Sequence, residues 1–286
     1  MQTVGNESED REMSILLEPG SAKANDVHAL CDLGSGYLSV KEQGKAMECF
    51  LRADKQGDAR APFLIGTMHE SGNGVPENDK KAFQWYLQSA ERGYREAQYK
   101  LGYMYAYERG VERDYWKAFQ WFLRAAEQGD PKSQRYMGLL FSYGQGVEQD
   151  YWKASTCFYN AAIQGDAKAQ CCLANLYRTA MGVPRNYERA YGWYLRAAEQ
   201  GLAIAQRNAG LLLAKGQGVN QDFAAAAKWF RKAAEQGDRK AQYYLSYLYA
   251  KGKGVPKNRV TAARWYHAYE KAPCPDNGRR KGNARR

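Results

Sequence analysis

An all-α solenoid of helix-turn-helix repeats is the fold that the sequence predicts, and three observations predict it. The dipeptide Gly-Val recurs at Gly74, Gly110, Gly146, Gly182, Gly218 and Gly254, always 36 residues apart. A second glycine series, Gly57, Gly93, Gly129, Gly165, Gly201 and Gly237, keeps the same period. Between these breaks the apolar residues fall at helical spacing, as in Ala118, Trp121, Phe122 and Ala125, or Ala190, Trp193, Tyr194 and Ala197. Two breaks per period divide each unit into two helices, and a fixed period marks an array whose units bury their apolar faces against their neighbours.

Each element follows in order. The second helix of a unit opens three residues after Gly-Val, at Asn78, Asp114, Asp150, Asn186, Asp222 or Asn258. These side chains accept hydrogen bonds from the orphan N–H groups of the first turn. That helix ends at the second glycine series, where a left-handed residue is cheap without a Cβ. Asp58, Asp130, Asp166 and Asp238 then cap the next first helix, and Pro131 suits a first helical position. Small residues (Gly66, Gly102, Gly138, Ala174, Gly210, Ser246) recur in every first helix and would let the paired helix approach, with Trp85, Trp121, Trp193, Trp229 and Trp265 as the expected bulk opposite. His69 fills a slot held elsewhere by Tyr or Phe and is expected to be packed and hydrogen-bonded. Residues 22–57 keep Ala46, Phe50 and Gly57 but lack the Gly-Val turn, so they read as a degenerate first copy before six clear ones. The expected division is an acidic segment over 1–21, the solenoid over 22–272 and a basic tail over 273–286.

The stretch from Ala97 to Gly129, AQYKLGYMYAYERGVERDYWKAFQWFLRAAEQG, resembles the Sel1-like repeat, a relative of the tetratricopeptide repeat, and comparable units cover residues 58–272. Glu108 and Ala180 depart from the pattern by replacing the first glycine of the turn. The resemblance implies a right-handed α-solenoid whose concave surface is lined mainly by first helices and binds other proteins. It also implies a bacterial protein.

Composition narrows the functional classes. The longest apolar runs, such as Ala209–Ala214, are far shorter than the roughly 20 residues that span a bilayer. Glu7, Glu9, Asp10 and Glu12 stand where a signal peptide would be basic and then apolar, which favours the cytoplasm, with a secreted effector lacking a classical signal as the alternative. Cys49 and Cys157 fill the repeat slot held elsewhere by Trp, Cys171 and Cys172 are adjacent in one helix, and Cys31 and Cys274 lie near the ends, so the six cysteines read as reduced, apolar thiols. The net charge of +11 is uneven: residues 1–26 carry six acids and two bases, residues 271–286 six bases and one acid. No metal site is expected from His28, His69 and His267, which share no repeat position and no zinc spacing. No phosphate-binding loop, nucleophile elbow or S-x-x-K motif is present, and Glu127, Glu199 and Glu235 recur like a solvated helix face, so neither catalysis nor a cofactor is expected.

With Leu101, Gly102 and Tyr105 assigned to the core, Tyr99, Tyr103 and Tyr107 share a separate face at steps of four. The equivalent positions are Arg135, Leu139 and Tyr143; Cys171, Asn175 and Thr179; Arg207, Leu211 and Lys215; and Tyr243, Tyr247 and Lys251, with Arg178 adjacent. This describes a groove with aromatic ends and a basic middle, suited to a protein or peptide of acidic character. The same tyrosines would equally serve as packing between neighbouring first helices. RNA is the alternative partner, since helical repeats can read bases with a few side chains each, although no regular polar code appears. Glycan binding through the tyrosine stripe is the third reading.

Overall fold

The computed structural model describes residues 27–272, in which helices alone form the regular structure. Helices α1 (Val27–Ser39) and α2 (Gln43–Lys55) make the first pair. Six more pairs follow: α3 (Arg60–Ser71) and α4 (Asp79–Glu91), α5 (Arg95–Tyr107) and α6 (Tyr115–Glu127), α7 (Pro131–Tyr143) and α8 (Tyr151–Ile163), α9 (Ala167–Thr179) and α10 (Tyr187–Glu199), α11 (Ala203–Lys215) and α12 (Phe223–Glu235), and α13 (Arg239–Lys251) and α14 (Arg259–Lys271). Two compact units divide within α7: Leu140 and Gly144–Glu148 go with the first, Phe141–Tyr143 and the chain from Gln149 with the second. The expected acidic segment, the basic tail, the boundary at residue 22 and Cys274 lie outside the described residues.

The caps are those the sequence requires. Asn78, Asp114, Asp150, Asn186, Asp222 and Asn258 each accept a hydrogen bond at 2.8 or 2.9 Å from the backbone N–H three residues on. Asp130, Asp166 and Asp238 do the same for Ser133, Ala169 and Ala241, and Asp58 accepts from Arg60 and Ala61. Each such cap contributes about 1 kcal/mol. Most first helices from α3 onward end on a left-handed glycine, but α5 and α9 end on Glu108 (φ 58°) and Ala180 (φ 61°), which hold the same conformation with a Cβ. That conformation costs roughly 1–2 kcal/mol for an L-residue.

Packing inside the hairpins corrects one expectation. A Cβ on Gly66 would sit 2.6 Å from the Tyr86 ring, one on Gly102 2.6 Å from Phe122, and one on Gly210 2.8 Å from Phe230. The small residues therefore face the ring one position after each tryptophan. Tyr86, Phe122, Phe158, Tyr194 and Phe230 are fully buried, whereas Trp85, Trp121, Trp193, Trp229 and Trp265 are half-buried. One residue turns a helix by roughly 100°, which carries the neighbouring side chain off the core axis. Trp121, Trp193 and Trp229 instead lie under Arg124, Arg196 and Lys232, at 4.5, 4.6 and 4.7 Å from the ring centres. The degenerate first copy obeys the same rule, with Gly34 against Phe50, because the link between its helices is four residues shorter (40–42 against 72–78). His69 is buried as expected, but its Nδ1 meets no hydrogen-bond partner.

Polar groups inside the array are matched in pairs. Buried Gln98, Gln170, Gln206 and Gln242 donate to the carbonyls of Ala90, Ala162, Ala198 and Ala234 at the end of the preceding helix. Gln128, Gln200 and Gln236, 30 residues on, donate in turn to the side-chain oxygens of Gln98, Gln170 and Gln206 at 2.8–2.9 Å. At the corresponding position in the last pair stands Ala272, and Gln242 Oε1 is left buried without a partner.

The Gly-Val turn also joins one hairpin to the one before it. A Cβ on Gly110 would strike the backbone of Asp79, and the next four Gly-Val glycines stand the same way against Tyr115, Tyr151, Tyr187 and Phe223. Each of these is the first residue of the second helix one repeat back.

Two stability predictions follow from these contacts. Ala180→Gly should raise stability by about 1 kcal/mol, read as a higher urea midpoint, with Glu108→Gly gaining less because it loses the exposed Arg113 ion pair. Gly182→Ala should cost at least about 3 kcal/mol, since backbone must shift as well as strain, whereas Gly201→Ala, with nothing within 4 Å of the new Cβ, should cost only about 1–2 kcal/mol. Equal losses at the two glycines would show that the turn does not lock neighbouring hairpins.

Candidate partner-binding face

In the first unit the expected tyrosine stripe is a cluster organised by a residue that the repeat pattern did not single out. Tyr136, on α7, stacks on Phe122 with ring centres 5.0 Å apart and planes within 6°. Tyr99, Tyr103 and Tyr107 approach it at 6.0, 6.1 and 6.2 Å, and Tyr103 meets Tyr107 at 4.5 Å. Burial, with Tyr136 alongside, lifts the Tyr99 phenol well above its ordinary range. Tyr99 and Tyr103 are thus half-buried packing groups, and Tyr107 remains exposed. Arg135, expected in the groove, is 8% exposed, with its guanidinium over the Tyr136 ring at 4.7 Å. It is a core cation of the cluster rather than an open contact.

In the second unit the expected residues separate into open and closed groups. Tyr143, at the end of α7, is 68% exposed, and Tyr243 and Tyr247 on α13 flank an apolar hollow of about 300 Å³ with Tyr266. Lys215 is exposed and has no ion pair among the described residues. Arg207 is closed: its Nη1 donates to Asp238 Oδ2 at 2.7 Å, and only 18% of its side chain is open. Sequence reasoning took it for a free cation because the aspartate stands 31 residues away, in the next repeat.

Arg178, Arg207 and Lys215 come together at one cavity of about 400 Å³, with Asn175, Asn208 and Lys240 beside them and Ile204, Leu211 and Tyr244 as apolar wall. No carboxylate lines it. Arg178 donates from Nε to the Tyr194 hydroxyl at 3.2 Å and from Nη2 to Asn175 Oδ1 at 3.4 Å, and that hydroxyl donates to Asn175 Oδ1 at 2.5 Å. The guanidinium is therefore oriented before any partner arrives. Lys240, Asn208 and Tyr194 were missed because their roles depend on which neighbour faces them, and a 36-residue period does not carry that.

Among the described residues no group of three or more His, Cys, Asp or Glu could hold a metal, and no helix is long and apolar enough to cross a membrane. Cys31, Cys49, Cys157, Cys171 and Cys172 are free thiols. Burial pushes the Cys171 thiol, on the expected stripe, up to about 12 and that of Cys157 to about 11. Burial disfavours the thiolate, so both stay protonated at pH 8. Their alkylation by iodoacetamide at that pH should run about a hundredfold slower in the folded chain than in urea, followed by mass spectrometry. Equal rates would show that these thiols are open.

Six consecutive segments, residues 59–94, 95–130, 131–166, 167–202, 203–238 and 239–268, match the family model described as Sel1 repeat. They begin after the first helix pair. The structure is similar to that of a Sel1 repeat protein from Oxalobacter formigenes, at 30% identity and a TM-score of 0.75, over 86% of this chain and 98% of that one. It is also similar to c5321, a protective antigen present in uropathogenic Escherichia coli strains and displaying an SLR fold, at 31% identity and a TM-score of 0.54. That match covers 93% of this chain, which spans 64% of the antigen. No curated protein sequence matches the chain.

Proposed function

The chain belongs to the Sel1 repeat family, and from that premise we propose that it is a non-catalytic scaffold that holds a protein or peptide on the face of its first helices. The observation that carries this reading is the set of tyrosine rings that the first helices leave in solvent, beside Trp116, Trp152, Tyr159 and Tyr266 on second helices: Tyr107, Tyr143, Tyr243 and Tyr247 are 42–68% exposed. All four stand on first helices, and an exposed tyrosine offers a partner a large apolar area together with a directional hydroxyl.

The cations of the second unit give the partner its sign. Arg178, Lys215 and Lys240 line a cavity that contains no acid, which favours an acidic protein. The polar groups at this cavity are guanidinium, ammonium, amide and the phenols of Tyr187 and Tyr244, with no carboxylate or imidazole among them, a set suited to holding an anion. The five free thiols suit a reducing compartment, in keeping with a cytoplasmic protein.

The test uses Tyr143→Ala together with Tyr247→Ala in the full chain, at positions open enough for the helices to keep their packing. Partners captured by the wild type from nuclease-treated lysate should be retained about tenfold less by this variant at equal helicity. Undiminished retention would overturn the assignment of the first-helix face.

A further inference from the structure

In the five hairpins from α3 to α12 the buried ring is Phe at 122, 158 and 230 and Tyr at 86 and 194. A buried hydroxyl needs a hydrogen-bond partner, and in both tyrosine repeats the end of the first helix supplies a charged one. Beside Phe122, Phe158 and Phe230 the supplying position is Ala106, Ser142 or Ala214; beside Tyr86 and Tyr194 it is Glu70 and Arg178. In the first case the charge is closed internally. Tyr86 donates to Glu70 Oε2 at 2.6 Å, and Lys100, 30 residues on, pairs with the same carboxylate at 2.6 Å.

The second case is the same constellation with its sign reversed and its counter-charge missing. Arg178 stands where Glu70 stands, and the place of Lys100 is taken by Asn208, which is neutral. Arg207 does not upset this balance, since Asp238 neutralises it. Lys215 and Lys240 at the cavity add positive charge, and neither has an ion pair among the described residues. The position thus holds an oriented guanidinium, half-closed by Tyr194 and Asn175, facing a cavity with amide donors and an apolar wall.

Resting on the reading of this face as a partner-binding surface, we propose that the cavity between α9, α11 and α13 binds a carboxylate of a protein partner's Asp or Glu, with Arg178 as the group that recognises it. A partner carboxylate would complete the ion pair that Glu70 and Lys100 complete within the chain. The occupant is an acidic segment with neighbouring aliphatic residues, because Ile204, Leu211 and Tyr244 form the wall beside the cations. A carboxylate matches the site: Nε and one Nη of Arg178 are already engaged, so a single open edge remains, which the two oxygens of one carboxylate would fill.

The experiment uses the full chain and a fluorescein-labelled peptide of alternating Glu and Leu, read by anisotropy against its Gln-for-Glu twin. The Glu peptide should bind at least about tenfold more tightly than the twin, and Arg178→Gln should remove that margin. Asn208→Asp supplies the absent carboxylate from within while leaving every cation in place, so it should also weaken the peptide about tenfold and leave helicity unchanged. Equal binding of the twins, unchanged affinity in both variants, or no binding of the Glu peptide at millimolar concentration would each overturn the proposal. So would oligouridylate binding more tightly than the peptide and losing that binding in Arg178→Gln, which would make this a phosphate site. If Tyr143→Ala with Tyr247→Ala weakens the peptide while Arg178→Gln does not, the carboxylate site fails and the scaffold reading stands.

Discussion

The array depends on a close approach of backbone to backbone. In five successive repeats the turn between the helices of one hairpin presses a glycine against the opening residue of the second helix in the hairpin before it. Only a residue without a Cβ fits, and that residue also needs a positive φ, so two independent constraints fall on one position. Because each contact joins a hairpin only to its neighbour, the register passes along the chain one step at a time. An insertion in one turn would displace the next hairpin's turn from its seat, and this accounts for a period that does not slip through six Gly-Val pairs.

Once that contact sets the spacing, the interior can be filled in more than one way. The ring opposite each small residue is Phe or Tyr, and where that ring is a buried Tyr a charged side chain stands at the end of the first helix. Phenylalanine asks nothing of its surroundings, whereas tyrosine requires a polar group at the end of the first helix. Two charges of opposite sign meet this need, Glu70 for Tyr86 and Arg178 for Tyr194. The glutamine pairs follow the same logic in neutral form, with both the amide donor and the oxygen of Gln98, Gln170 and Gln206 matched inside the protein.

The elements and their caps were legible in the sequence because they rest on local chemistry: a glycine, an Asn or Asp, and an apolar stripe within a dozen residues. What was illegible involves pairs about one helix or one repeat apart. Period and face grouped Tyr99, Tyr103, Tyr107 and Arg135 but did not show that Tyr136 would draw Tyr99, Tyr103 and Arg135 inward. They placed Arg207 on the groove without its Asp238. They also gave the bulk of the core to tryptophan, since the ring and its neighbour share one stripe and only the axis of approach separates them. A repeat pattern identifies the face; which residues of that face remain open is decided by neighbours contributed from the adjacent repeat.

The same distinction governs the basic charge. Many of the cations sit over aromatic rings rather than beside acids, among them Arg124 over Trp121, Lys132 over Tyr99, Arg189 over Tyr177 and Lys253 over Phe223. A ring holds a cation in place without cancelling its charge, so these residues contribute to the field of the molecule while their positions are already set. Arg178 differs in kind. Its geometry is set by a hydroxyl and an amide, which are hydrogen-bonding groups of no net charge, and one edge of its guanidinium faces a cavity. What sets Arg178 apart is an oriented guanidinium with one edge open to a cavity, and it arises here because a buried tyrosine had to be satisfied.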